Sequence, residues 1–399
     1  MTTLGEVPSL RTIQTGPFGT QLKAGEYDVS GSGAPVVSVG EIREGFIRIK
    51  PDTPRVGPEV QTRLSHFMLD ERDVVVSRKG AVDRSAWISQ SYGPLFLGSD
   101  AIAVRFDDPE TARFYGYVLQ GKAVRKWLVR HAPGTTMLSM NGAVLGSVPV
   151  WSLDSARMAG AVEMLGALDD KIAANRKVSL LVSELVSAKY RSTNKSRVDM
   201  VFEDLAEIGG GATPSTKKPE LWGQGVAWAT PSDVTGLDGV WLDGTERTIS
   251  PAGLGSISSP LYPIGSIAMT SRATIGACAL LGEPMAVNQG FIVLQPNVET
   301  MRLWLYCQLI DRVDELKAWA NGATFLELPK KIFRRLPVEL GSEEDMDEFA
   351  TFATSLVKRL QALQRESQRL AATRDELLPL LMSGKITVKD AEKAVEEVV

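Results

Sequence analysis

The chain has 399 residues, 44% hydrophobic and 23% charged, with two cysteines, two histidines and a net charge of −4. Such a length supports two or three domains without covalent staples, and so few cysteines and histidines exclude a disulfide framework, a zinc finger and a His-based metal centre. The opening Met1-Thr-Thr-Leu-Gly-Glu-Val-Pro8 has no basic segment leading into an apolar one, and no apolar run reaches membrane-spanning length, so a cytoplasmic protein is expected.

In chain order, residues 1–150 are rich in Gly, Pro, Val and Thr. They predict short strands at 35–39, 46–49, 73–77 and 101–105 and a helix over 109–129. Residues 155–191 contain no proline, and Val162, Leu165, Leu168, Ile172, Leu181, Leu185 and Ala188 recur at helical spacing. Residues 198–338 return to the first composition, with strands expected at 226–229, 265–270 and 290–294 and a helix at 300–319. A second long helix is expected over 342–381, opened by Ser342-Glu-Glu-Asp345, whose acids suit a helix N-terminus. There Leu356, Leu363, Leu370 and Leu377 recur every seven residues, each followed four later by Leu360, Ser367, Arg374 and Leu381. That alternation is a coiled-coil seam. The first helix offers a matching one at Leu165, Leu168 and Ile172, with Asn175 as a polar member able to set register. The domain bounds read as 1–150, 151–197, 198–338 and 339–399.

The two globular segments match in register. At an offset of 188, Gly134, Thr136, Leu138, Pro149 and Val150 fall on Gly322, Thr324, Leu326, Pro337 and Val338, and both long helices begin just past the matched Pro-Val. Val76-Ser-Arg78 falls on Thr270-Ser-Arg272 at an offset of 194. The expected fold is therefore α+β: two similar mixed α/β domains, two long antiparallel coiled-coil helices between them, and a pseudo-two-fold internal repeat.

Catalytic motifs are missing. Gly93-Pro-Leu-Phe-Leu-Gly98 is followed by Ser-Asp rather than the lysine and hydroxyl of a phosphate-binding loop, and no dinucleotide fingerprint, H-E-x-x-H or G-x-S-x-G occurs. No Asn-Pro-Pro-aromatic tetrapeptide of an adenine methyltransferase is present, and Asp52 with Glu59-Val-Gln61 lacks the lysine of a nuclease metal site. A non-catalytic chain is expected, with no metal site.

What remains is a set of polar loops. In the second domain Thr213, Ser215, Thr216, Lys217 and Lys218 precede Trp222, and Ser232, Arg272, Asn288, Gln289 and Thr324 add donors and acceptors. Counterparts in the first domain are Gln14, Thr20, Gln21, Lys23, Arg78, Lys79, Thr135 and Thr136. Arginine pairs bidentately with guanine and Asn or Gln with adenine, while lysine and hydroxyls meet phosphates, so these are the candidate DNA-binding residues. Each alone reads first as a solvated turn, Trp222 and Trp228 read first as core, and Asn288 and Gln289 also suit buried backbone groups. The basic surplus lies in residues 1–197, whereas 198–338 carry 11 basic against 15 acidic groups, so DNA binding needs local patches or a partner's charge.

At these residues the sequence resembles the DNA-specificity subunit of type I restriction–modification systems. Gly210-Gly-Ala-Thr-Pro-Ser-Thr-Lys-Lys-Pro-Glu-Leu-Trp222 looks like the start of that family's target-recognition domain, followed by Arg272-Ala-Thr-Ile-Gly276 and Val287-Asn-Gln-Gly-Phe291. In the first domain Gly16-Pro-Phe-Gly-Thr-Gln-Leu22 and Arg78-Lys-Gly80 resemble the family's alternative openings. Leu168-Asp-Asp-Lys-Ile-Ala-Ala-Asn-Arg176 is similar to its central conserved region and Leu377-Leu-Pro-Leu-Leu-Met-Ser-Gly-Lys-Ile386 to its terminal one. One departure stands out: Ser99-Asp-Ala-Ile102 occupies the place of Asn288-Gln-Gly-Phe291. The tail past Ile386 exceeds the motif and reads as a short amphipathic helix docking on a partner.

The resemblance implies a recognition subunit in which each target-recognition domain reads half of a bipartite, asymmetric DNA site and the helices set the spacing. It implies no cofactor on this chain. S-adenosylmethionine would sit on methyltransferase subunits gripping the helices, and ATP and Mg on a restriction subunit where one joins. Two other functions stay open on the sequence: paired protein-interaction modules on a coiled-coil spacer, and an orphan architectural DNA binder.

Overall fold

A computed structural model describes residues 2–28, 31–134, 137–151, 154–237, 239–322 and 326–396. The chain forms two compact units, Met1–Asp170 with Arg369–Val399, and Lys171–Gln368, so the boundary falls inside both long helices.

In the first unit the antiparallel sheet has the order β1 (Leu10–Thr15), β6 (Ala101–Phe106), β3 (Asp73–Ser77), β4 (Ser85–Trp87). A second sheet is built around β2 (Ala34–Val37) and β5 (Leu95–Leu97), which run parallel. The Val74-Val-Val76 run of β3 is fully buried, as a β-branched strand covered on both faces requires. Helix α1 (Pro109–Gln120) starts at Asp108, whose carboxylate accepts from Thr111 N at 2.8 Å, with Pro109 at the first helical position. The expected single helix breaks at Gly121 into α1 and α2 (Lys122–His131). The strand expected at 46–49 reduces to one bridge, Ile42 to Ile47, closed by a tight turn with Gly45 at φ 86°. A five-residue turn of helix, α3 (Gly142–Gly146), precedes the long α4 (Ser155–Ser192).

The second unit repeats this plan. Its main sheet runs β7 (Ala206–Gly210), β13 (Phe291–Pro296), β10 (Ile267–Thr270), β11 (Cys278–Leu281), β9 (Trp241–Leu242), the first four antiparallel in the same order as before. β8 (Trp222–Ala229) pairs parallel with β12 (Met285–Val287), as β2 does with β5. The helix pair α5 (Met301–Asp311) and α6 (Val313–Ala318) again breaks where one helix was expected, here at Arg312. α7 (Lys330–Arg334) stands 188 residues after α3, and the long α8 (Glu343–Met382) 188 after α4. The internal repeat is therefore present in topology as well as sequence.

The long helices pair antiparallel within each unit. In the second, Lys171 reaches Glu366 at 3.4 Å and Lys189 reaches Glu348 at 2.6 Å, partners falling as positions rise. Val186 and Tyr190 share one core with Phe349, Ala353, Val357, Leu360 and the domain's Trp304 and Phe202. Each such buried side chain is worth about 1.5–3 kcal/mol. In the first unit Tyr117 donates to Asp169 at 2.7 Å and Arg374 donates to Asp169 at 2.6 Å. Burial opposes the Arg374 charge, but Asp169 and Asp375 outweigh it and raise its pKa.

The apolar face of α4 differs from expectation in one stretch, beyond the seam positions. Leu165, Leu168, Ile172 and Asn175 are buried, but Leu181, Leu185 and Ala188 face solvent, and Val182, Val186 and Tyr190 take the inner face. The step from Ile172 to Leu181 is nine residues, one short of the ten or eleven that keep a 3.5-residue repeat on one face. The tail forms α9 (Val388–Glu396), and Val388 packs over Gly160 of α4, so one face of the tail lies on its own chain. Among the described residues no helix is long and apolar enough to cross a membrane, and no group of three or more His, Cys, Asp or Glu is placed to hold a metal.

Candidate functional site

In the second unit four loops meet at the end of the main sheet. The 211–218 loop leaves β7 at Gly211, where a Cβ would sit 1.8 Å from the Val287 carbonyl oxygen, so only glycine allows this approach. Ala212 N donates to that same oxygen at 3.1 Å, and the Thr213 hydroxyl donates to the Gln289 side chain. The 287–290 turn is held by its own Asn288, whose side-chain oxygen accepts from Gly290 N at 2.8 Å. Ser271 N donates to Gly290 O at 2.8 Å, and Leu328 N donates to Ser271 O at 2.9 Å, which ties in the third and fourth loops.

Arg272 stands on this junction. Its Nη2 donates to Glu327 Oε1 at 2.9 Å, with both side chains 44% exposed. The next residue, Ala273, has φ 58°, a left-handed conformation costing a side chain about 1–2 kcal/mol. It is held there by Ala273 N donating to Leu326 O at 3.2 Å. Strain of this kind persists where surrounding contacts over-determine the backbone.

The tryptophans brace the first loop from behind. Trp228 is buried and donates to Ala212 O at 3.1 Å; Trp222 donates to Ser215 O at 3.1 Å. The two rings meet edge-on at 5.0 Å, and the exposed Arg247 guanidinium lies 3.8 Å from the Trp222 ring. Thr216, Lys217 and Lys218 are exposed, and neither lysine makes an ion pair among the described residues. Ser232 is exposed beside Thr230, with hydroxyls 2.8 Å apart.

The first unit builds the same junction from different side chains. Gly16 takes the place of Gly211, since its Cβ would lie 1.9 Å from Gly98 O. Arg78 donates to Ser99 O at 3.1 Å and lies 5.4 Å from the Phe18 ring; Lys79 pairs with Asp100 at 2.8 Å. Gly80 N donates to Leu138 O at 2.9 Å, the strap that Leu326 provides in the second unit. Thr20, Gln21 and Lys23 are exposed on the first loop, with Gln21 Oε1 accepting from Phe18 N at 3.2 Å. Gln14 is half-buried within β1 opposite Ala103, where the sheet rather than a loop positions it. Thr135, Thr136 and Thr324 lie outside the described residues.

Sequence reasoning missed Glu327 and Arg247, whose partners Arg272 and Trp222 are 55 and 25 residues away along the chain. Only the 188-residue register, which sets Glu327 against Ser139, marks it as a difference between the repeats. Away from this junction, burial pushes the Cys307 thiol up to about 12, so it stays protonated near neutral pH.

Residues 198–371 match the family model of the type I restriction modification DNA specificity domain. The match covers 174 of the 399 residues. The family is the one that the sequence motifs resemble. The specificity subunit of the type I restriction enzyme MjaIX from Methanocaldococcus jannaschii is 32% identical over 152 residues, covering 38% of this chain and 35% of that protein. That of HindI from Haemophilus influenzae is 28% identical over 188 residues, covering 46% and 40%. The matches thus span about two fifths or less of these relatives' length. A crystal structure of a type I restriction-modification S subunit from M. genitalium aligns over 95% of this chain and 94% of that one, at 14% identity and a TM-score of 0.48. The four-loop junction, with Arg272, Asn288, Gln289, Lys217 and Lys218, lies wholly within the matched residues.

Proposed function

We propose that the chain is the DNA-reading, non-catalytic subunit of a type I restriction–modification complex. Each repeat reads one half of a bipartite, asymmetric site on double-stranded DNA. The observation that carries this is the duplicated junction: one backbone scaffold, with Gly16 or Gly211 at its entrance, presents Arg78, Lys79 and Lys23 in one repeat and Arg272, Asn288, Gln289, Lys217 and Lys218 in the other. A shared scaffold with unlike side chains suits two half-sites of different sequence. The candidate contact residues are those 18 named from the sequence, with Lys217 and Lys218 on phosphates and Arg272 on a base.

The division into domains 1–150, 151–197, 198–338 and 339–399 belongs to the same proposal, the two helical segments acting as a ruler between half-sites. Methyltransferase subunits carrying S-adenosylmethionine would dock on the helices. In support, Val178, Leu180, Leu181 and Leu185 form an exposed apolar stretch on α4, of a kind that marks an interface. A restriction subunit with ATP and Mg completes the complex where one is encoded, and the cytoplasm is the compartment in which such a complex meets DNA.

The test is co-expression with methyltransferase subunits of a type I system, followed by sequencing of methylated adenines. One bipartite motif is expected. Methylation at scattered sequences, or turnover by the purified single chain, would overturn the assignment.

A further inference from the structure

We propose that Glu327 is the specificity-determining partner of Arg272: its carboxylate holds the guanidinium for a guanine edge and withholds it from phosphate. This rests on the DNA-reading function proposed above.

An exposed arginine binds phosphate at any sequence, and that term adds affinity without discrimination. Bonding to Glu327 through one Nη2 changes both properties. The guanidinium is planar with five donors in fixed geometry, so one bond to a carboxylate orients the plane and leaves donors for O6 and N7 of guanine. The pair is also close to neutral, and the carboxylate repels a phosphate that approaches it.

The backbone fixes both members independently of their side chains. Arg272 and Glu327 form a β-bridge, flanked by the bonds from Ala273 N to Leu326 O and from Leu328 N to Ser271 O. Glu327 is itself tied to Asn321 by paired backbone bonds of 2.8 and 2.9 Å. The left-handed Ala273 turns the chain sharply just past Arg272. Two backbones pinned this closely set the pair where the side chains alone would wander.

In the first repeat Ser139 stands where Glu327 does, bridged to Lys79 in the place of Arg272, and Lys79 pairs instead with Asp100 on another loop, at 2.8 Å. The Arg–Glu pair therefore belongs to the chemistry of one half-site, not to the scaffold that both repeats share.

The full-length chain is bound to a randomised duplex pool at fixed salt, then titrated with salt against the selected and a random duplex, for wild type, R272A, E327Q and E327D. For E327Q, preference for guanine at one position of one half-site is expected to fall about tenfold, within the worth of a bidentate contact. Its binding to random duplex should strengthen, with the salt slope steeper by about 1 as the freed arginine takes a phosphate. E327D should restore the base preference, and R272A should lose it whatever stands at 327. If E327Q weakens binding to all duplexes equally, with base profile and salt slope unchanged, Glu327 is only a structural strap and the inference falls. An unchanged profile in R272A also overturns it while leaving the DNA-reading function intact. Absence of any sequence preference in the wild type overturns both.

Discussion

The side-chain amide of Asn175 donates to the hydroxyl of Ser367 at 3.3 Å, and also to a Glu366 carboxylate oxygen at 3.0 Å, in the seam between the long helices of the second unit. Asn175 is almost fully buried, so its amide is satisfied only while these partners face it. A polar layer in an apolar seam favours one register, because a slip of a turn leaves a donor unpaired.

Asn175→Ala should lower stability by about 1–3 kcal/mol, through a lost hydrogen bond to a charged acceptor and a small cavity. Chemical denaturation measures it. Asn175→Leu should be near neutral or stabilising, since it replaces the polar layer with apolar packing. A loss from Leu as large as from Ala would show that the layer supplies stability rather than register.

The glycine at each loop entrance should resist substitution. Gly211→Ala and Gly16→Ala each force a methyl into a carbonyl oxygen, and the backbone must shift to relieve it. Overpacking of this kind costs about 1–3 kcal/mol. Both variants should melt earlier and lose sequence discrimination, as seen by thermal denaturation and selection from a randomised pool. A silent Gly211→Ala would mean that the loop is not held as described.

Lys217→Ala with Lys218→Ala should weaken binding to all duplexes alike and flatten the salt slope by about 2, one phosphate contact each. The preferred sequence should not change. A changed sequence would move these lysines from the phosphate backbone to the bases.

A pH effect is expected at Asp73. Burial raises its carboxyl to about 6, with Arg105 at 3.8 Å and Asp70 N at 3.0 Å recovering only part of the cost and Arg72 nearby. A folded-state value above the unfolded one means that the folded chain holds the proton more tightly. The contribution is thus complete below pH 4 and lost as pH rises through about 6. At about 1.4 kcal/mol per pH unit of difference it amounts to roughly 2–3 kcal/mol. Thermal melts from pH 4 to 8 should show this component in wild type and not in Asp73→Asn. Parallel pH profiles for the two would assign it elsewhere.

If the helices are the ruler, four residues inserted after Ala174 and four after Glu366 should add about one turn to each helix and lengthen it by about 6 Å. Methylated sites from cells carrying this variant should keep both half-sites and gain a base pair or two of spacer. An unchanged spacer with full methylation would remove the helices from that role.

Much of this protein was legible in its sequence because it depends on local periodicity. Helices expected over 155–191 and 342–381 form at Ser155–Ser192 and Glu343–Met382, since an unbroken apolar stripe and an acidic N-terminus act within a few turns. The β3 strand was placed to the residue by a buried Val-Val-Val run, and the repeat was visible because duplicated elements keep their spacing even where their residues have diverged. The tertiary structure alone decided which face of α4 lies inward past Asn175, because that depends on a phase kept across the gap to Val182 and Val186. It alone brought Glu327 to Arg272 and Arg247 to Trp222, because neither contact has any trace in local pattern. Periodicity reports whether a residue is inside or outside. Which side chain across the fold meets it is set by strand order and loop straps between residues tens of positions apart, and that is where the candidate chemistry of this site resides.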